Sequence, residues 1–106
     1  TALKTIELIK ESLESSDSPP AAKRPEETET VSGARGGRYL DIPVHSVRLP
    51  GYVAHEEVLF GGTGQILSIR HDSISRTSFM PGVLLAISKV VELDQLYYGL
   101  EQIMDR

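Results

Sequence analysis

The sequence predicts an α+β domain, on three observations. An amphipathic helical stripe opens the chain. Three runs rich in Val, Ile, Leu and aromatics follow between residues 42 and 72, separated by turn-forming Pro-Gly and Gly-rich segments. A second helical stripe then precedes a short apolar tail. The order helix, long loop, three-strand meander, helix, tail gives a mixed or antiparallel sheet with helices on one face. The other face is left for oligomerisation.

In the first helix Ala2, Leu3, Ile6, Ile9 and Leu13 form one apolar stripe, with Lys4, Glu7, Lys10 and Glu11 turned outward. Thr1 is the expected N-cap, its hydroxyl accepting from a free N–H of the first turn. The helix is predicted to end near Ser15. Residues 16–38 carry almost no large apolar side chain, and Pro19, Pro20 and Pro25 break helix, so this stretch reads as a polar loop. Gly33, Gly36 and Gly37, with Arg35 and Arg38, close it.

The strand candidates are residues 42–49, ending at Pro50-Gly51; residues 52–60, ending at Gly61-Gly62-Thr63-Gly64; and residues 65–72. By alternation Val53, Leu59, Leu67 and Ile69 are apolar positions, and Glu56, Ser68 and Arg70 have the opposite parity. Val58 and Phe60 share parity with Glu56, which suggests a sheet partly covered on both faces. Ser73 or Ser75 is the expected cap of the second helix. That helix carries Phe79, Val83, Ile87, Val90 and Val91 at spacings of three and four, with Pro81 in its first turn. Leu96 to Leu100 leads into a helical turn through Met104.

At 106 residues the chain suits one domain. A chain this short buries only about 60–65% of its unfolded surface, which leaves room for help from partner subunits. The net charge of -4 gives no basis for binding nucleic acid, which needs clustered Lys and Arg. With no Cys, disulfides and thiolate metal sites are excluded, in keeping with a cytoplasmic protein. No apolar run approaches the roughly 20 residues that span a bilayer, so no membrane partner is expected. The first residue is Thr rather than an initiator Met, at a helix start, and the chain reads as cut or processed.

No self-contained catalytic motif is present: no GxGxxG, P-loop, GxSxG or HExxH. The GxRGGR segment at 33–38 has the composition of an anion cradle of backbone N–H groups. The preferred reading is a flexible glycine hinge. His45, His55 and His71 lie on three strand candidates without metal-ligand spacing, so hydrogen-bonded structural roles are preferred and no metal is expected. His71-Asp72 followed by Ser73 at a strand end has the placement of a functional edge; a capping Asp72 before the second helix is the preferred reading. Arg76 and Phe79 lie three apart, a pairing able to hold a flat charged ligand; a core Phe79 beside a solvated Arg76 is the preferred alternative. Thr1 is an N-cap, and a helix N-terminus also attracts carboxylates.

Four segments, TALKTIELIK, SGARGG, IPVHSVRLPGYVAHEEVLFG and QILSIRHDSISRTSFMPGVLLA, resemble the C-terminal half of the dihydrodipicolinate reductases, particularly those of Gram-positive bacteria. The similarity covers nearly the whole chain outside the loop around 16–30. It implies part of an oxidoreductase that reduces a cyclic imine dicarboxylate with NADH or NADPH, on the route to diaminopimelate and lysine. It further implies that residues 1–106 are a substrate-binding, tetramer-forming domain without the N-terminal Rossmann domain that holds the nucleotide. The family's catalytic segment reads His-His-x-x-Lys-x-Asp-Ala-Pro-Ser-Gly-Thr-Ala, of which only Thr1 and Ala2 match here. The resemblance therefore places no catalytic residue in this chain. It makes Thr1 a substrate-binding residue and carries Arg76 and Phe79 toward the nucleotide. The chain alone is expected to be inactive. The competing reading is a stand-alone oligomerisation or ligand-binding module, which the reading frame upstream of Thr1 would discriminate.

Overall fold

The computed structural model describes residues 1–16 and 28–104. They fall into two compact units, Thr1–Arg48 and Leu49–Arg106.

The first unit opens with α1, Ala2–Glu14, close to the predicted bounds. Of the apolar stripe only Ile6 is fully buried, while Leu3 and Leu13 remain about half exposed. Thr1 occupies the N-cap position, but its hydroxyl makes no capping hydrogen bond, contrary to expectation. Its carbonyl instead accepts from the Thr5 backbone N–H at 3.0 Å and from the Thr5 hydroxyl at 3.2 Å.

Part of the stretch read as loop is a strand. β1, Gly37–Tyr39, pairs antiparallel with β2, Ile42–Val44, with Arg38 opposite Pro43 and Tyr39 opposite Ile42. The two-residue turn between them puts both Leu40 (φ 49°) and Asp41 (φ 64°) in the left-handed region. Positive φ at both positions is the signature of a type I′ turn, whose twist matches that of the flanking strands. An Arg38–Asp41 ion pair at 3.0 Å spans the turn. The predicted 42–49 strand therefore shortens to three residues. Pro43 has no N–H for a second neighbour, which suits an edge of a two-stranded ribbon and ill suits the first strand of a meander. The proline-rich part of the predicted loop, residues 17–27, lies outside the described residues.

The second unit is built on a longer hairpin. β3, Ala54–Gly62, pairs antiparallel with β4, Gln65–Ser73, in unbroken register from Ala54↔Ser73 to Gly62↔Gln65. Gly64, at φ 70°, supplies the left-handed residue of the Thr63-Gly64 turn. The antiparallel α+β class holds, but the single three-strand meander does not: the described strands form two separate two-stranded sheets.

Register also regroups the faces. Val58, Phe60, Leu67 and Ile69 lie on one face together with Glu56 and His71. The other face carries His55, Glu57, Ser68, Arg70 and Asp72, with Leu59 and Ile66. Leu59 thus parts company with Leu67 and Ile69, because paired positions in this register have opposite parity. Most of the apolar face is open, with Phe60 40%, Leu67 58% and Ile69 57% exposed.

Beyond β4 a 3-10 turn, Arg76–Phe79, leads into α2, Met80–Val90, with Pro81 tolerated in the first helical turn. Ser75 caps the 3-10 turn, accepting from Thr77 N–H at 3.2 Å. Ser73 does not cap. It is buried, donates to the Ser75 carbonyl at 3.0 Å and bonds the Ser78 hydroxyl. The stripe predicted to face the core is largely open, Ile87 at 61% and Val91 at 85% exposed. Gly82, Leu85, Ala86 and Lys89 are the half-buried positions instead. α2 is apolar almost all round, so periodicity alone selects no face. A second 3-10 turn, Leu100–Gln102, follows, and Ile103 beside it is buried. Lys89 Nζ donates to the Ile103 carbonyl at 2.8 Å. A Cβ on Gly82 would come within 3.1 Å of Leu100 Cδ2, so the bare glycine admits that turn.

Candidate functional site

Thr1 stands at the N-cap of α1. A helix leaves its first N–H groups without intrahelical partners and carries partial positive charge there. Here the Thr1 side chain makes no capping hydrogen bond, the first turn holds no acidic residue, and Thr1 is exposed.

Residues 28–36 form an amide cradle, but one already filled from within the chain. The Glu29 carboxylate accepts from Gly33 N–H at 3.0 Å and from Arg35 N–H at 3.1 Å. Arg35 folds back to donate to the Thr28 carbonyl through Nε and one terminal nitrogen, at 3.3 and 3.2 Å. Left-handed φ at Gly33 (80°) and Gly36 (73°) lets the amides converge. The segment is an anion cradle as its composition allowed, with Glu29 as the anion, and it is not a plain hinge. At its end Gly36 presses against Val44 and His45: a Cβ there would overlap the Val44 carbonyl oxygen and lie 2.8 Å from His45 Nδ1.

The polar face of the β3–β4 hairpin carries a charged network that sequence reasoning missed. Cross-strand pairing sets His55 opposite Asp72 and Glu57 opposite Arg70. Asp72 Oδ1 lies 2.6 Å from His55 Nδ1, and Asp72 Oδ2 accepts from Arg70 Nε at 2.8 Å. Arg70 also approaches Glu57 at 3.5 Å. The Arg70 guanidinium first, then His55, hold the Asp72 carboxyl below its usual 3.8, at about 2. Asp72 raises the Arg70 pKa in return. Because Asp72 is ionised and can only accept, Nδ1 of His55 carries the proton. Tyr52 stacks on the imidazole with ring centroids 4.0 Å apart. The far nitrogen, Nε2, is buried without a hydrogen-bond partner among the described residues. Asp72 is thus an ion-pair centre and does not cap the second helix. The missed signal was register: the Thr63-Gly64 turn, once fixed, dictates that 55 meets 72.

Of the three histidines, His55 has a hydrogen-bonded role, while His45 abuts Gly36 and His71 is exposed. Among the described residues no group of three or more His, Cys, Asp or Glu is arranged to hold a metal ion. No helix among them is long and apolar enough to cross a membrane.

Arg76 and Phe79 sit at the two ends of the 3-10 turn. Three residues per turn aligns them on one side. Arg76 is exposed, and Phe79, 44% exposed, is not the core residue predicted. Phe79 opens onto a shallow groove of about 500 Å³ with His71, Ser78, Val83, Ala86 and Leu100; Arg76 does not line it.

The geometry defines an antiparallel α+β chain with an exposed Thr1 at its first helix start and an open apolar sheet face. Residues 1–104 match the family described as dihydrodipicolinate reductase, C-terminus, and the chain belongs to that family. It is 56% identical over 107 residues to the 4-hydroxy-tetrahydrodipicolinate reductase of Geobacillus thermodenitrificans, covering 99% of this chain and 38% of that protein. The reductase of Bacillus cytotoxicus is 54% identical over 105 residues, with the same coverage. The chain spans about 38% of the length of the curated relatives it matches. A solved dipicolinate-bound dihydrodipicolinate reductase from Paenisporosarcina sp. TG-14 superposes with a TM-score of 0.78 at 50% identity, covering 97% of this chain and 37% of that one.

Proposed function

We propose that this chain is the substrate-side and assembly portion of an NAD(P)H-dependent 4-hydroxy-tetrahydrodipicolinate reductase, a cytoplasmic enzyme of diaminopimelate and lysine biosynthesis. The observation that carries the reading is identity above 50% along essentially the whole chain with reductases of that name. The Paenisporosarcina relative is described as dipicolinate-bound, which supports a cyclic dicarboxylate as the ligand class.

In this reading Thr1 and the first N–H groups of α1 hold one substrate carboxylate. The uncapped hydroxyl and the lack of acid in the first turn suit that task. The nicotinamide nucleotide, when bound, supplies the hydride. Arg76 and Phe79 are the residues of this chain that meet it, and their exposure on one side of a 3-10 turn fits a flat, anionic ligand. The open face of Val58, Phe60, Leu67 and Ile69 joins copies of the chain into a homotetramer.

The test is turnover of freshly generated 4-hydroxy-tetrahydrodipicolinate with NADPH and with NADH. The full-length protein containing this segment is expected to be active and residues 1–106 alone inactive. Turnover by the 106-residue chain, or none by the full-length protein, contradicts the proposal.

A further inference from the structure

Tyr39 ends β1, and its phenol O–H donates to Glu7 Oε1 of α1 at 2.8 Å, bridging 32 residues of sequence. The hairpin behind Tyr39 is fixed at both ends. Its turn is held by the Arg38–Asp41 pair, and its base is closed by the approach of Gly36 to Val44. Glu7 lies six residues from Thr1, about 9 Å along the helix. A tilt of about 10° at Glu7 therefore swings the helix start by about 1.6 Å, enough to break a hydrogen bond there.

We propose that Tyr39 is a positioning residue: through Glu7 it sets the direction of α1 and so where Thr1 and the first N–H groups of the helix meet the substrate carboxylate. This rests on the reading of Thr1 as a substrate residue. Tyr39 touches neither substrate nor nucleotide; it acts only through the helix. Glu7, which the helical pattern turned to solvent, is the receiving half of the link.

The experiment is steady-state kinetics on the full-length protein. Tyr39→Phe keeps the ring and removes the donor. Glu7→Leu removes the acceptor, whereas Glu7→Gln keeps a carbonyl oxygen able to receive the phenol. Tyr39→Phe and Glu7→Leu are expected to raise KM for the dicarboxylate about threefold to tenfold, with kcat and the nucleotide KM unchanged. Glu7→Gln is expected to stay within about twofold of the parent, and the double variant Tyr39→Phe/Glu7→Leu to be no worse than either single change. Thr1→Ala separates the two ideas. If Thr1→Ala raises the dicarboxylate KM while Tyr39→Phe and Glu7→Leu leave it unchanged, the positioning role is overturned and the Thr1 reading stands. If Thr1→Ala leaves KM unchanged, the Thr1 reading fails. Should Tyr39→Phe not fold, the Glu7→Leu and Glu7→Gln pair decides: equal KM values for the two overturn the proposal.

Discussion

Asp72 shows how much a single exposed carboxylate can organise. It receives Arg70 on one oxygen and His55 on the other, and its pKa falls to about 2. A carboxyl depressed by folding adds stability that is complete above its ordinary pKa of 3.8 and is lost as pH falls toward about 2. Asp72→Asn should therefore flatten the acid limb of the stability curve between those values, which urea midpoints measured across that range will show. An unchanged slope would mean the network adds nothing. Gly36 is the other residue whose role is settled by its surroundings. With φ at 73° and no room for a Cβ beside Val44, Gly36→Ala is expected to cost about 1–3 kcal/mol, read as a lowered thermal midpoint. At this scale the sequence was least legible. Glu29 filling its own cradle and Asp72 meeting His55 both depend on through-space pairings that no local spacing encodes.

Elements were more legible where one principle dominated. The stripe from Ala2 to Leu13 fixed α1 almost to the residue, and Gly61-Gly62-Thr63-Gly64 fixed the tip of the long hairpin. The short hairpin escaped notice because its turn, Leu40-Asp41, lacks the Asn-Gly or Asp-Gly signal that usually marks two left-handed residues. That same turn is a point of strain: a non-glycine residue in the left-handed region costs about 1–2 kcal/mol. Replacing Leu40-Asp41 by Asn-Gly is expected to stabilise the first unit by about 1–2 kcal/mol, seen as a higher denaturant midpoint; destabilisation would show that the Arg38–Asp41 pair outweighs the relief. α2 was placed correctly along the chain but turned the wrong way, since apolar residues on nearly every side leave the choice of face to tertiary contacts with Leu100 and Ile103.

For the molecule as a whole, the imbalance between buried and open apolar surface is the leading fact. Ile6 and Ile103 are the buried hydrophobics among the described residues, while large side chains on both the sheet and α2 remain open. Such surface seeks cover. If the proposed sheet-to-sheet assembly holds, sedimentation at micromolar concentration should give a homotetramer, and Leu67→Lys should dissociate it. A monomer at that concentration would contradict the assembly. Central to the proposed function is the grip of the start of α1 on an anionic heterocycle. Titrating dipicolinate into the full-length protein and into its Thr1→Ala variant by calorimetry addresses it directly. The expected result is a Kd weakened about tenfold in the variant with nucleotide affinity unchanged, the loss of one charge-assisted hydrogen bond. Equal dipicolinate affinity in the two proteins would contradict the claim.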